Sequence, residues 1–335
     1  MKPSNITAAQ WLEYNALFLA EHFLGRRRFL EMLGAREANL TAAIDRQATG
    51  LDALPDLQVI EEEGEFSEPL YHPHHVKVLR GAAKDWPCSR EWSFDYFAKR
   101  YGDMSIQLYN NVGLVGNSQQ DFDTTRLRDY IAELKEGSRK YLKFSRIAND
   151  DSALKDDFDH EWLSKFTPSG SFGKVFYLFM GAAGTLTPIH NGMPPTLFVQ
   201  VVGQKRWLFY PPSHRLFLGV RAERRNYFYS DVDPVAERND GYPIFQHTKP
   251  HEVILNPGDL LWFPSYVWHH VENLTASIGV AYKYVHLPSA FKASKMMATL
   301  FFLSTRPFLL ESFISSRIKK NDRIFTNPPA PSTSY

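Results

Sequence analysis

The chain has 335 residues, 44% of them hydrophobic and 14% aromatic, which suits one large globular domain or two ordinary ones and excludes a disordered chain. Lys and Arg number 38 against 37 Asp and Glu, a net charge of +1 that argues against a dedicated nucleic-acid binder. A lone cysteine, Cys88, excludes an internal disulfide framework and fits a reducing compartment.

Residues 7–48 predict helix. Thr7 and Gln10 have capping-box spacing, and apolar residues recur at Trp11, Leu12, Phe18, Phe23, Leu30, Leu33, Leu40 and Ile44. Gly25 and Gly34 are expected to divide or weaken that stretch. The run RRR at 26–28 reads as a solvated helix face, with an anion site as the alternative. No signal peptide is visible at the start, and the longest apolar run, MMATLFFL at 296–303, is too short to span a bilayer, so the expectation is a soluble cytoplasmic protein without membrane association.

Five segments follow from composition: a helical segment 1–50, a linker 51–74 rich in Gly, Pro and acid, a β-rich domain 75–288, a helical segment 289–320, and a disordered tail 321–335. Within the domain, 74–81 predicts a strand, 92–103 a helix, 104–111 a strand and 126–137 an amphipathic helix ending at Gly137. KYLKFS, KVFYLFMG, LFVQVVGQKRWLFYPP, HEVILNPGDLLWFP, VWHHVENL and SIGVAYKYVHL then follow closely, punctuated by Gly and Pro. That pattern predicts an antiparallel sandwich or jelly roll.

The stretch TPIHNGMPP (187–195) holds the first candidate for chemistry. Side chains alternate along a strand, so His190 and Gly192 share a face while Asn191 points away. A second histidine is offered 79 residues later in PSYVWHHVENL. Two histidines from separate strands plus a carboxylate form a non-haem iron site. The cluster HPHH (72–75) has metal-like composition but no nearby carboxylate, and reads as a surface cluster. Arg221, Arg224 and Arg225 in RAERRNYFY are candidates to steer an anionic substrate, although a solvated loop face is the simpler reading.

Six blocks in order, VLRGAAKDWP, WSFDYFAKRYGD, GTLTPIHNG, FVQVVGQKRWLFYPP, YSDVDP and EVILNPGDLLWFPSYVWHHVENL, resemble the JmjC and cupin-like Fe(II)/2-oxoglutarate oxygenases. The resemblance implies a mainly β fold, a double-stranded β-helix (jelly-roll, cupin/JmjC-like) core with N-terminal and C-terminal helices. It implies Fe(II) on His190 and His269, with His270 structural on the opposite face. It implies 2-oxoglutarate held by Lys205, with Thr187 and Tyr141 as further contacts. A dicarboxylate inside a barrel needs a buried cation and neutral donors in any case.

The departure from the family lies at Gly192, where such proteins carry Asp or Glu. Glycine cannot coordinate, and Met193 is a poor ligand for a hard Fe(II) centre. Thr196 and Ala281 also stand where related hydroxylases often have asparagine. The first reading of the vacancy is radical halogenation, in which chloride takes the freed position and Gly192 is the determining residue. The second is a two-histidine hydroxylase, and the third a non-catalytic binding module; a structural alternative is that Gly192 answers a backbone need for positive φ. The expected partners are a small-molecule or carrier-bound substrate and a second copy of the chain, docked through the C-terminal helices.

Overall fold

The computed structural model describes residues 3, 6–48, 57–66, 72–110, 122–222, 228–236 and 239–304. Helix α1 (Ala8–Leu24) begins at Thr7, whose side chain accepts from the Gln10 backbone while the Gln10 side chain accepts from Thr7, closing the expected capping box. Gly25, at φ 78°, ends it and allows the chain to turn into α2 (Arg26–Gln47). Gly34 sits inside α2 without dividing it. Arg26 is tied to Glu21 at 3.0 Å and Glu37 at 3.3 Å, and Arg27 to Glu31 at 3.2 Å, so these two arginines of the RRR run are engaged in ion pairs.

The strands are β1 (Gln58–Glu62), β2 (His75–Leu79), β3 (Ser105–Asn110), β4 (Phe122–Arg126), β5 (Lys140–Ser145), β6 (Phe172–Gly181), β7 (Leu186–Asn191) and β8 (Thr196–Val202). They continue with β9 (Lys205–Tyr210), β10 (Val220–Arg221), β11 (Phe228–Ser230), β12 (His251–Leu255), β13 (Leu260–Phe263), β14 (Trp268–Asn273) and β15 (Ser277–Val285). Among the described residues they form a nine-stranded sheet, β1-β2-β13-β8-β15-β6-β5-β3-β4, and a six-stranded one, β10-β11-β7-β14-β9-β12. From β6 to β9 the chain changes sheet at every step, and it does so again from β12 to β15. That alternation is the double-stranded β-helix expected from the sequence.

The segment read as a linker needs correction, because its residues 58–62 pair in parallel with β2 as β1. Two apolar residues flanked by Gln and Glu in QVIEE, none of them fully buried, suit an edge strand half exposed to water. His72 and His75 of the HPHH cluster stack with ring centroids 3.8 Å apart.

Burial follows the two-faced pattern of each strand. The outer face of the large sheet packs on helices through Trp86, Trp92, Phe97, Tyr130 and Leu154, among others. The outer face of the small sheet carries Ile189, Leu208, Tyr210 and Trp268, and α1 and α2 cover it with Tyr14, Phe18, Phe29 and Ile44. The C-terminal helix Lys295–Phe302 joins that cluster through Met297, Ala298, Leu300 and Phe301, so much of its apolar side is covered within the chain. The rest of the segment expected to be helical up to 320, and the tail 321–335, lie outside the described residues. No described helix is long and apolar enough to cross a membrane. Between the sheets, Val78, Val253, Leu255 and Leu261 form an apolar floor, above which polar groups gather.

Candidate functional site

His190 on β7 and His269 on β14 are direct partners across an antiparallel pair. Their ring centroids lie 4.1 Å apart with planes at 59°. Phe263, Trp207 and Phe209 pack round His269 at centroid distances of 4.7, 5.8 and 6.1 Å. His190 Nδ1 lies 2.7 Å from the Pro188 carbonyl oxygen, and His269 Nδ1 lies 2.9 Å from that of Val267. An imidazole whose Nδ1–H donates to a carbonyl carries its lone pair on Nε2, the tautomer a metal ligand requires. Burial, helped by His269, holds the His190 proton affinity well below the usual histidine range. Burial pushes His269 down to about 3. Both rings are therefore neutral near pH 7.

Thr187 poses a problem of parity, since a residue three before His190 belongs on the other face of a regular strand. The pairing with β14 resolves it. His190 is opposite His269 and Thr187 is opposite Val271, so three steps on β7 match two on β14. This bulge brings both side chains to the same cavity.

Lys205 opens β9 on the inner face, 1% exposed. Its Nζ donates to the Tyr141 hydroxyl at 3.0 Å and lies over the Phe198 ring at 5.3 Å. Burial pushes the amine down to about 7 and pushes the Tyr141 phenol up. Tyr141 fits against β6 only because residue 181 is glycine: a Cβ there would stand 2.7 Å from Tyr141 Cδ2 and 2.5 Å from Thr185 Oγ1. One cavity is thus lined by Tyr141, Thr187, His190, Lys205 and His269, together with Thr196 and Ala281.

Gly192 does not have a left-handed backbone, and a Cβ built there meets nothing closer than Pro194 Cδ at 3.7 Å. The conformational explanation for this glycine is therefore overturned. Met193 packs with Ile189 in the outer cluster, and the Asn191 amide donates to the Tyr266 carbonyl at 3.2 Å. Neither joins the two rings. Among the described residues, no group of three or more His, Cys, Asp or Glu is placed to hold a metal. The donors fit a metal taking two neutral imidazoles from the protein and do not fit a two-histidine, one-carboxylate set.

Other expectations resolve differently. His270 is fully buried, and burial pushes its pKa down to about 3. Arg221 is held by Asp231 at 3.1 Å and Glu37 at 3.8 Å, which removes it as a steering group. Arg224 and Arg225 lie outside the described residues. Two lysines missed in the sequence stand beside the site. Lys283 lines the cavity, and Lys143 Nζ lies over the Tyr141 ring at 5.0 Å. The signal was period two: Tyr141 and Lys143 on β5, Ala281 and Lys283 on β15.

Two mainly antiparallel sheets exchanging strands around an internal histidine pair and a buried lysine define a jelly roll with its polar site inside the barrel. The chain belongs to the cupin-like domain family, whose model matches residues 66–290. It is similar to the mouse 2-oxoglutarate and iron-dependent oxygenase JMJD4, 28% identical over 229 residues, which are 60% of this chain and 53% of that protein. It is also similar to mouse HSPB1-associated protein 1, 34% identical over 254 residues, 65% of this chain and 51% of the relative. Lysine-specific demethylase 8 of Xenopus tropicalis is 24% identical over 233 residues, 69% of this chain and 52% of that protein. The chain spans about half the length of the curated relatives it matches.

Proposed function

We propose that this chain is an Fe(II)- and 2-oxoglutarate-dependent enzyme acting on a substrate C–H bond, with a small external anion in place of the third protein ligand. The observation that carries this reading is the in-register, inward-facing pair His190 and His269, with both Nδ1 atoms turned to carbonyls. Iron with 2-oxoglutarate supplies oxidative cleavage of a C–H bond when bound. The protein's own part is to hold and orient. His190 and His269 offer neutral nitrogens fixed by backbone acceptors, so coordination needs no proton release. Lys205 presents a cation to the distal carboxylate of the cosubstrate, and Tyr141 and Thr187 add neutral donors. The aromatic wall of Phe198, Trp207 and Phe263 keeps water from the polar groups.

The finer reading is halogenation, with chloride as the anion beside Gly192. It is supported by room for a side chain at Gly192, whose Cβ would make only an ordinary contact with Pro194 Cδ at 3.7 Å, and by a described lining that contains lysines and no carboxylate. Hydroxylation is the second reading, supported by relatives named as an oxygenase and a demethylase. The substrate is a small molecule or a carrier-bound group. Anaerobic equilibrium dialysis of Fe(II) tests the common core. We expect one iron per wild-type chain and none in His190→Ala or His269→Ala. Unchanged uptake in both variants would place the metal elsewhere.

A further inference from the structure

The cavity between the sheets is small. Its volume is about 30 Å³, room for roughly one or two waters, whereas sites for small organic molecules run to roughly 300–1,000 Å³. A dicarboxylate therefore cannot sit between Lys205 and the histidine pair until a lining group moves. The lining residues are buried except for Phe144, Phe179 and Lys283, which are partly exposed. The way from water to the two rings passes these side chains.

Phe144 is held differently from its neighbours. Three residues after Tyr141, it belongs on the outer face of a regular strand. Leu142 is opposite Met180 and Ser145 is opposite Leu178, so three steps on β5 match two on β6. This bulge turns the Phe144 ring inward. Its centroid lies 5.6 Å from that of Tyr177 and 5.2 Å from that of Phe179, and Lys283 Nζ lies 5.7 Å from it. Phe144 thus ties the partly exposed side chains into one rim. The backbone there is strained: φ is 55°, in the left-handed region that a bulky side chain rarely adopts. Phe179 stands opposite Gly279 in mid-strand, on a strand paired along both edges. A ring carried on a strained bulge can swing outward with a small backbone change, whereas one in the middle of a sheet cannot.

We propose that Phe144 is a size-selecting gate, whose ring closes the cavity mouth and decides which molecules reach His190 and His269. The identity of what enters, 2-oxoglutarate and a substrate bearing the reacting C–H bond, rests on the function proposed above; the gate itself does not depend on iron. A ring in the mouth admits slim, unbranched molecules more readily than branched or ring-bearing ones. Phe144 is then a specificity-determining residue that takes no part in the chemistry.

The test needs neither metal nor cosubstrate. Val271 lines the cavity, and Cys88, the chain's lone cysteine, is buried among the helices on the outer face of the large sheet. Val271→Cys places a thiol behind the gate, and Cys88 reports general loosening of the fold. Metal-free protein is treated with methyl or benzyl methanethiosulfonate, and modification at each position is followed by peptide mass spectrometry. Each rate is divided by that of the same reagent with free cysteine. In the Val271→Cys protein we expect the benzyl reagent to react at least tenfold more slowly than the methyl one at the introduced thiol. Adding Phe144→Ala should speed the benzyl reaction tenfold or more, shrink the difference between reagents to less than threefold, and leave Cys88 unchanged. Phe144→Gly suits the left-handed backbone without a ring and should give the same result if alanine impairs folding. A difference between reagents that ignores loss of the ring, or an acceleration shared by Cys88, would overturn the gate. Iron uptake is measured on the same preparation: a gated thiol in protein that binds no Fe(II) would sink the iron reading and leave the gate standing.

Discussion

Replacing Lys205 with methionine should stabilise the metal-free protein and cripple cosubstrate binding, two effects that a merely structural lysine would not combine. Lys205 is 1% exposed, and its hydrogen bond goes to a neutral phenol, Tyr141, at 3.0 Å. Burial lowers its pKa from 10.5 to about 7. The unfolded chain therefore binds more protons than the folded one between these values, and stability rises with pH across that window. The penalty for burying the cation is absent above about pH 10.5 and complete below about pH 7. At about 1.4 kcal/mol per tenfold, the ceiling is about 5 kcal/mol, which relaxation and water penetration reduce. Methionine has a similar length and no proton, so Lys205→Met should gain about 1–4 kcal/mol at pH 7, the range for apolar replacement of buried charges. The same change leaves a buried carboxylate of 2-oxoglutarate without its cation, costing about 3–5 kcal/mol, or an affinity loss of about 100-fold to several thousand-fold. Urea melts of the metal-free protein at pH 6.5 to 9 and anaerobic calorimetry with 2-oxoglutarate measure the two halves. A variant that binds 2-oxoglutarate within threefold of wild type would refute the assignment of Lys205.

Gly192→Asp should fold, since its Cβ meets nothing closer than 3.7 Å, and should bind Fe(II) more tightly while losing any chloride response; weaker iron binding in a folded variant would contradict the two-histidine reading. Gly181→Ala drives a methyl to 2.7 Å from Tyr141, so we expect a loss of about 1–3 kcal/mol in urea melts together with weaker 2-oxoglutarate binding. Glu21, between α1 and the barrel, has its pKa raised to about 7 by burial in spite of Arg26. Its contribution is fully present below about pH 4.5 and is lost as pH rises through about 7, so Glu21→Gln should flatten the fall in stability between about pH 4.5 and 7. An identical slope in both proteins would show that the carboxyl is not strained there.

Much of the site was legible because strands advertise their inner face every second residue. That period put His190 on one face and Asn191 on the other, whereas His269, His270 and Lys205 were expected from the resemblance and not from local pattern. Thr187 did not obey the period. Its placement depends on a bulge on β7, which exists only in the pairing with β14 and leaves no local mark in LTPIHN. Lys143 and Lys283 obeyed the period but escaped notice, because a lysine in a strand ordinarily points to water. Strand β1 was hidden by acidic composition, which suits an edge strand as well as a linker. Arg221 looked free to meet a substrate because its partners are distant in sequence: Asp231 follows β11 and Glu37 lies on α2. Gly192 invited a backbone explanation that only its φ, outside the left-handed region, and its surroundings could remove.

The most direct test of the central claim is anaerobic visible absorption while Fe(II), 2-oxoglutarate and chloride are added in turn. The account predicts a charge-transfer band when 2-oxoglutarate joins the iron-loaded wild type, its absence in His190→Ala and His269→Ala, and a change in the band on adding chloride. A band indifferent to chloride would end the halogenation reading and leave hydroxylation. Wild-type protein that takes up no iron and gives no band with 2-oxoglutarate would contradict the account at its root.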